Sequence, residues 1–178
     1  ETVAVGPIPS EIESDRTRLR QILINLVGNA VKFTESGRVR IEVGLVSEAG
    51  EPANVLEVAV VDTGCGIAPE QIPRLFETFT QVHGAVTRAH QGTGLGLALS
   101  RKLARLLGGE VDVESELGRG SRFRLRIPSG PLAGARVLSA VEVGDFAVLE
   151  STPVADAPSV LSGRVLLVED GPDNQRLI

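Results

Sequence analysis

The 178-residue sequence predicts a two-layer α/β sandwich, and three observations carry that expectation. A helical stretch near the N-terminus leads directly into two strand-like stretches. A second helical stretch, after a glycine-rich turn, leads into two more. The strand–helix–strand alternation that a parallel doubly wound sheet requires does not run through the chain.

The first helix is expected to start at a cap, Ser14 or Asp15, and to run through "RTRLRQILINLVGNAVKF". At about 100° per residue, Leu19, Ile22, Leu23, Leu26, Ala30 and Phe33 share one broad arc, which should face the core. Gln21, Asn25, Asn29 and Lys32 follow one another at steps of three or four and form a polar stripe beside that arc. A solvated flank would explain the stripe. Two Asn one turn apart argue for more, because Asn competes with the helix backbone for hydrogen bonds and is a poor choice there without a purpose.

"RVRIEVGLV" (38–46) alternates as a half-buried strand does, and "NVLEVAVVD" (54–62) reads as a more deeply buried one. The second strand runs into "DTGCGI", where Asp62 precedes Gly64 and Gly66. A plain turn is one reading. The other is a carboxylate at a strand end that accepts a hydrogen bond from a ligand amine while the glycines keep the backbone close. In "APEQIPRLFETFTQ" Pro69 suits the first turn of a short helix, and Phe76 and Phe79 read as packing residues. "VHGAVTRAH" is poor in large apolar residues and reads as a mobile loop; its His83 and the adjoining His90 lack acidic or cysteine neighbours at metal spacing.

Gly92, Gly94 and Gly96 then alternate immediately before "LGLALSRKLARLLGG", an amphipathic helix closed by Gly108 and Gly109. Glycines that feed a helix can bring backbone N–H groups and the positive helix end to a phosphate, although a turn that merely needs positive φ gives the same pattern. No GK[ST] follows either glycine stretch, which excludes the Walker arrangement. "EVDVES" and "SRFRLRIP" close the series as a hairpin around "ELGRG".

Composition narrows the function. A net charge of −5 and the absence of Trp and Tyr argue against a nucleic-acid surface. The single cysteine, Cys65, has no internal disulfide partner, and no signal peptide or apolar run of about 18 residues appears, so a cytoplasmic setting is expected. A membrane anchor would then belong to other parts of a longer parent.

"NLVGNAVKFT", "DTGCGI", "LFETFTQ" and "GTGLGLALS", in that order and at these separations, resemble the N, G1, F and G2 boxes of sensor histidine kinases, the ATP-binding catalytic domains of the GHKL superfamily. The resemblance covers residues 1 to 128 and takes in Gly118, Gly120, Ser121 and Phe123 as a closing strand motif. It implies the Bergerat fold, a mixed and largely antiparallel sheet against helices, with ATP and Mg²⁺ as cofactors. By the same resemblance Asn29 would be an Mg²⁺ ligand, Asn25 would assist at the metal and phosphates, and Lys32 would meet phosphate oxygens. Asp62 would accept from the adenine amine, with Ser121 supporting that contact through water. The nucleotide site would further include Gly64, Gly66, Ile67, Phe76, Arg88, Gly92, Thr93, Gly94, Leu95, Gly96 and Leu97, and residues 77 to 91 would form the ATP lid hinged by the later glycines.

Related ATPases of the superfamily carry a water-activating Glu where this helix has Asn25, so the chain resembles the phosphotransfer branch, in which the γ-phosphoryl passes to a histidine. Hydrolysis of ATP, or nucleotide sensing without catalysis, are the alternatives. The accepting histidine would sit on an upstream dimerisation domain, since neither His83 nor His90 is followed by an acidic residue. The parent is then expected to be a homodimer and this fragment a monomer. Residues 129–162, rich in Pro, Gly, Ala and Ser at both ends, read as a partly ordered linker. "GRVLLVEDGPDNQRLI" (163–178) resembles the start of a receiver domain, with Glu169 and Asp170 as its Mg²⁺-binding acidic pair and Gly171 where Asn is common. That implies a hybrid kinase relaying phosphate to an aspartate.

Overall fold

The computed structural model describes residues 1–47, 54–80, 94–132 and 136–138. Strands β1 (Thr2–Ala4) and β2 (Ile8–Pro9) precede helix α1 (Arg16–Lys32). Strands β3 (Val39–Val46) and β4 (Val55–Asp62), helix α2 (Gly96–Leu106), the hairpin β5 (Glu110–Glu116) and β6 (Gly120–Pro128), and the short β7 (Val137–Leu138) follow. The main sheet has the order β1-β3-β4-β6-β5, antiparallel except where β1 runs parallel to β3. The two helices pack on one of its faces, as a two-layer sandwich requires.

Asp15 caps α1 by accepting the Arg18 N–H at 3.0 Å, and Lys32 stands in the last turn, where a cation meets the negative helix end. Ile22, Leu26 and Ala30 are buried and Leu19 and Leu23 pack beside them, so these members of the expected arc face the core, whereas Phe33 is the C-cap of the helix and does not belong to that core cluster. Opposite lie Val58 and Val60 of β4, Val111 of β5 and Phe123, Leu125 and Ile127 of β6. The other sheet face is an ion-pair lattice: Arg122 meets Glu42 at 2.8 Å, Arg124 meets Asp112 at 2.7 Å and Arg126 meets Glu57 at 2.8 Å. One apolar and one charged face is the usual economy of an antiparallel sheet. Gly108, at φ +77°, ends α2, with the Gly109 N–H returning to the Ala104 carbonyl and the Gly108 N–H to Arg105, a Schellman closure.

Two sequence expectations need correction. The helix expected from Pro69 is a single 3-10 turn, Ile72–Arg74, with Pro73 in its first positions; the fixed φ of that proline suits the tighter turn. Phe79 is not a packing residue: it is 75% exposed at φ +63° and its N–H donates to the Gly94 carbonyl. Within the stretch read as a partly ordered linker, β7 pairs antiparallel with β2, with Ile8 opposite Leu138 and a bond from the Ser10 N–H to the Arg136 carbonyl.

Candidate nucleotide site

Asp62, the last residue of β4, is 6% exposed. Its Oδ1 accepts the Gly64 N–H at 2.8 Å and the Ser121 N–H at 3.3 Å. Burial pushes the carboxyl above its ordinary range, and the hydrogen bonds from Gly64 N–H, Ser121 N–H and the Ser121 hydroxyl oppose that push. A carboxylate offers about four lone-pair sites, so capacity remains for a donor on a ligand.

The loop after Asp62 is docked by backbone on two sides. The Cys65 N–H reaches the Phe33 carbonyl at the end of α1, and the Gly118 N–H reaches the Cys65 carbonyl at 2.7 Å from the β5–β6 turn. A side chain at Gly64 would put its Cβ 2.2 Å from the Phe33 carbonyl oxygen, and one at Gly66, whose φ is +65°, would come 2.0 Å from that of Glu116. Both glycines therefore have a packing reason independent of any ligand. Ile67 N–H donates to Ser115 Oγ at 2.8 Å, and Ile67 itself packs against the core. A shallow depression at this end of the sheet is lined by Asp62, Ser115, Gly120, Ser121 and Arg119, among others.

The polar stripe of α1 lies across from α2. Asn25 and Asn29 are half-buried, and Asn25 Nδ2 donates to Ser100 Oγ at 2.8 Å. Gly96 makes that approach possible, since a Cβ there would lie 2.3 Å from Asn25 Oδ1. Lys32 Nζ sits 5.3 Å from the centre of the Phe33 ring. Phe76 packs against the core beneath the Arg101 guanidinium, 4.9 Å from the ring centre. Leu95 and Leu97 frame the start of α2, whose N-cap residue, Leu95, makes no side-chain capping bond and so leaves first-turn amides uncapped by side chains. Gly94, at φ +69°, supplies the turn before it. Arg88, Gly92, Thr93, Glu169 and Asp170 lie outside the described residues, as do His83, His90 and the lid beyond Thr80.

Sequence reasoning missed Ser115 and Ser100. Each left a faint signal: Ser115 shares the core-facing parity of Val111 and Val113 on β5, and Ser100 stands one turn before the buried Ala104 on α2.

The family described as histidine kinase-, DNA gyrase B- and HSP90-like ATPase matches residues 14–131. The chain belongs to that family. The sensor histidine kinase AruS of Pseudomonas aeruginosa is 46% identical over 165 residues, which span 86% of this chain and 16% of AruS. The autoinducer 2 sensor kinase/phosphatase LuxQ of Vibrio vulnificus is 38% identical over 171 residues, 94% of this chain and 18% of LuxQ. The chain thus spans under a fifth of either relative. The crystal structure of full-length ShkA in complex with AMPPNP superposes with a TM-score of 0.57 at 37% identity, covering 78% of this chain and 26% of that one. The mixed sheet with two helices on one face is the fold of this family. No helix among the described residues is long and apolar enough to cross a membrane.

Proposed function

We propose that this chain binds Mg²⁺-ATP and presents its γ-phosphoryl group to a histidine on a separate dimerisation domain, within two-component signalling. The observation that carries the reading is Asp62: a buried carboxylate, held by donors on one oxygen, at the mouth of a glycine-docked loop. A buried acceptor of this kind matches the exocyclic amine of adenine and mismatches a carbonyl. AMPPNP in the structure of the similar ShkA supports the same ligand class.

Mg²⁺ fits the donor set. Among the described residues no group of three His, Cys, Asp or Glu could hold a metal, whereas Asn25 and Asn29 offer amide oxygens one turn apart. A hard ion that keeps several waters and takes phosphate oxygens as further ligands suits so sparse a protein contribution. Asn29 and Asn25 would hold it, and bound there it would neutralise charge on the β- and γ-phosphates. Lys32, released from the Phe33 ring, and Arg88 would add positive charge to the phosphates. The uncapped first turn of α2, at Gly96 and Leu97, with Gly92, Thr93, Gly94 and Leu95 before it, would direct backbone N–H groups at them.

Catalysis by such a domain is positioning and charge neutralisation. Asn25 carries an amide, which cannot take a proton from water, and its Nδ2 donates a hydrogen bond to Ser100 Oγ. That chemistry favours transfer to an external nucleophile over hydrolysis. Residues 129–162 then connect to a receiver domain beginning at 163, with Glu169 and Asp170 as its acidic pair. The LuxQ match, which covers 94% of this chain, is consistent with that arrangement.

Calorimetric titration of the chain with AMPPNP, with and without Mg²⁺, beside Asp62→Asn, tests the site. Saturable Mg²⁺-dependent binding that the variant loses is expected, and addition of the histidine-bearing domain should then yield acid-labile phosphohistidine from ATP. Rapid phosphate release by the chain alone would instead make it a hydrolase. Absence of binding by the unsubstituted chain would sink the reading.

A further inference from the structure

The proposed function gives the Ser115 hydroxyl, at this end of the sheet, no task. It lies between two elements of the site. Its Oγ accepts the Ile67 N–H at 2.8 Å, stands 2.9 Å from the Gly120 carbonyl and lies 3.0 Å from Ser121 Oγ. The Ser121 backbone N–H donates to Asp62 Oδ1 at 3.3 Å, and its hydroxyl is among the groups that hold the Asp62 carboxyl down against the effect of burial.

Proton counting limits what these contacts can be at once. A serine hydroxyl has one proton to give and two lone pairs to receive with. If Ser115 gives its proton to Gly120, its free lone pair attracts the Ser121 proton, and Asp62 loses a donor. If Ser115 gives its proton to Ser121, the Ser121 proton is free for Asp62. The chain of donation then runs from Ile67 N–H through Ser115 and Ser121 to the carboxylate. An ionised Asp62 favours this second setting, because a charge-assisted hydrogen bond is roughly twice as strong as a neutral one.

We infer that Ser115 is a positioning residue for nucleobase selection: it holds the Ser121 hydroxyl as a donor to Asp62 and so keeps Asp62 a pure acceptor, matched to a 6-amino purine and mismatched to a 6-oxo purine. The inference rests on the adenine reading of Asp62. Its physical content is that a carboxyl deprived of the relay can carry a proton and donate, which would admit a carbonyl at the same place. Ser115 touches no part of the base in this scheme. It acts through Ser121, and it joins the base contact to the position of the Ile67 loop.

The test is calorimetric titration of the 178-residue chain with three Mg²⁺ nucleotides: ATP, purine riboside triphosphate, which lacks the 6-amino group, and inosine triphosphate, which carries a 6-oxo group. Ser115→Val and Ser115→Thr form the central pair, since Val and Thr are near-isosteric, both favour strands, and only Thr keeps the hydroxyl. Ser115→Val is expected to weaken ATP about tenfold while purine riboside triphosphate stays within about twofold, narrowing the preference for ATP over inosine triphosphate. Ser115→Thr should restore that preference. An equal loss for all three nucleotides in Ser115→Val would show a merely structural role and overturn the inference, as would an unchanged preference. Failure of the unsubstituted chain to prefer ATP over purine riboside triphosphate would instead overturn the Asp62 contact, and the inference with it. Retained binding of the purine nucleotide doubles as the evidence that the variant folds.

Discussion

The two ends of the candidate nucleotide site are built differently. At the Asp62 end, the groups are positioned by backbone: Gly64 and Ser121 amides on the carboxylate, Gly118 on Cys65, Ile67 on Ser115, and glycines where a Cβ would strike a carbonyl oxygen. At the α1 end the groups are side chains on one helical stripe, and their partners in this structure are other parts of the protein, Ser100 for Asn25 and the Phe33 ring for Lys32. The first end is preorganised. In the proposed function the second would have to exchange some of its present contacts to grip phosphates, and so would bear the ordering cost of binding. Selectivity for the base and affinity for the phosphates should therefore respond to different substitutions.

The largest effect should come from Gly66→Ala. With φ at +65° and a Cβ 2.0 Å from the Glu116 oxygen, the loop must leave the β5–β6 turn, costing about 2–4 kcal/mol of stability in denaturant titration and abolishing nucleotide binding.

Asp62→Asn should come next, weakening ATP by about 1–3 kcal/mol through a mismatched amide. Its stability should move the other way. Burial raises the folded-state carboxyl, so ionising it on going from acid to neutral pH disfavours the fold, and an amide escapes that penalty. The variant should therefore melt no lower than the parent chain at neutral pH, with the difference shrinking as pH falls toward the range of an unfolded carboxyl. A variant that melts far lower at neutral pH would show that the carboxylate is structural.

At the other end, Asn25→Ala should cost about 1 kcal/mol of stability by leaving the buried Ser100 hydroxyl without its donor. Its distinguishing mark is loss of the Mg²⁺ dependence of AMPPNP binding, with the base preference unchanged. If the preference falls as well, the two ends are coupled and the contrast between them fails.

The smallest effect is expected at an ion pair that neither end uses. Glu110 accepts from Arg101 and Arg105; partial burial raises its carboxyl, but those two guanidinium contacts prevail and hold it below its usual range. Its contribution is present above the unfolded carboxyl range and fades as pH falls through the lowered one. Because the Arg105 pair is largely exposed, Arg105→Ala should cost only about 0.2–1 kcal/mol, less in high salt, and leave nucleotide binding intact.

Much of this was legible in the sequence because it is local. The period of 3.6 over residues 16–32 and of 2 over 39–46, 55–62 and 120–128 sets which side chains face the core, and no distant contact is needed to read it. The order of the elements excluded a doubly wound sheet for the same reason, and Asp62 with Gly64 and Gly66 behind it marked the end of β4 as a candidate ligand contact.

Tertiary structure decided what depends on residues far apart in the chain. Strands of two and three residues, such as β1, β2 and β7, have no periodicity to read and exist through their partners, Leu138 lying opposite Ile8 across the whole domain. The exposure of Phe79 and the 3-10 turn at Pro73 were likewise settled by surroundings that hydrophobic pattern does not encode. The roles of Ser115 and Ser100 arise where β5 meets the loop after β4 and where α2 meets α1, 48 and 75 residues from the groups they bind. Side-chain type and local period are properties of neighbours in sequence, whereas a hydrogen bond between distant segments comes into being only once the sheet and helices have packed.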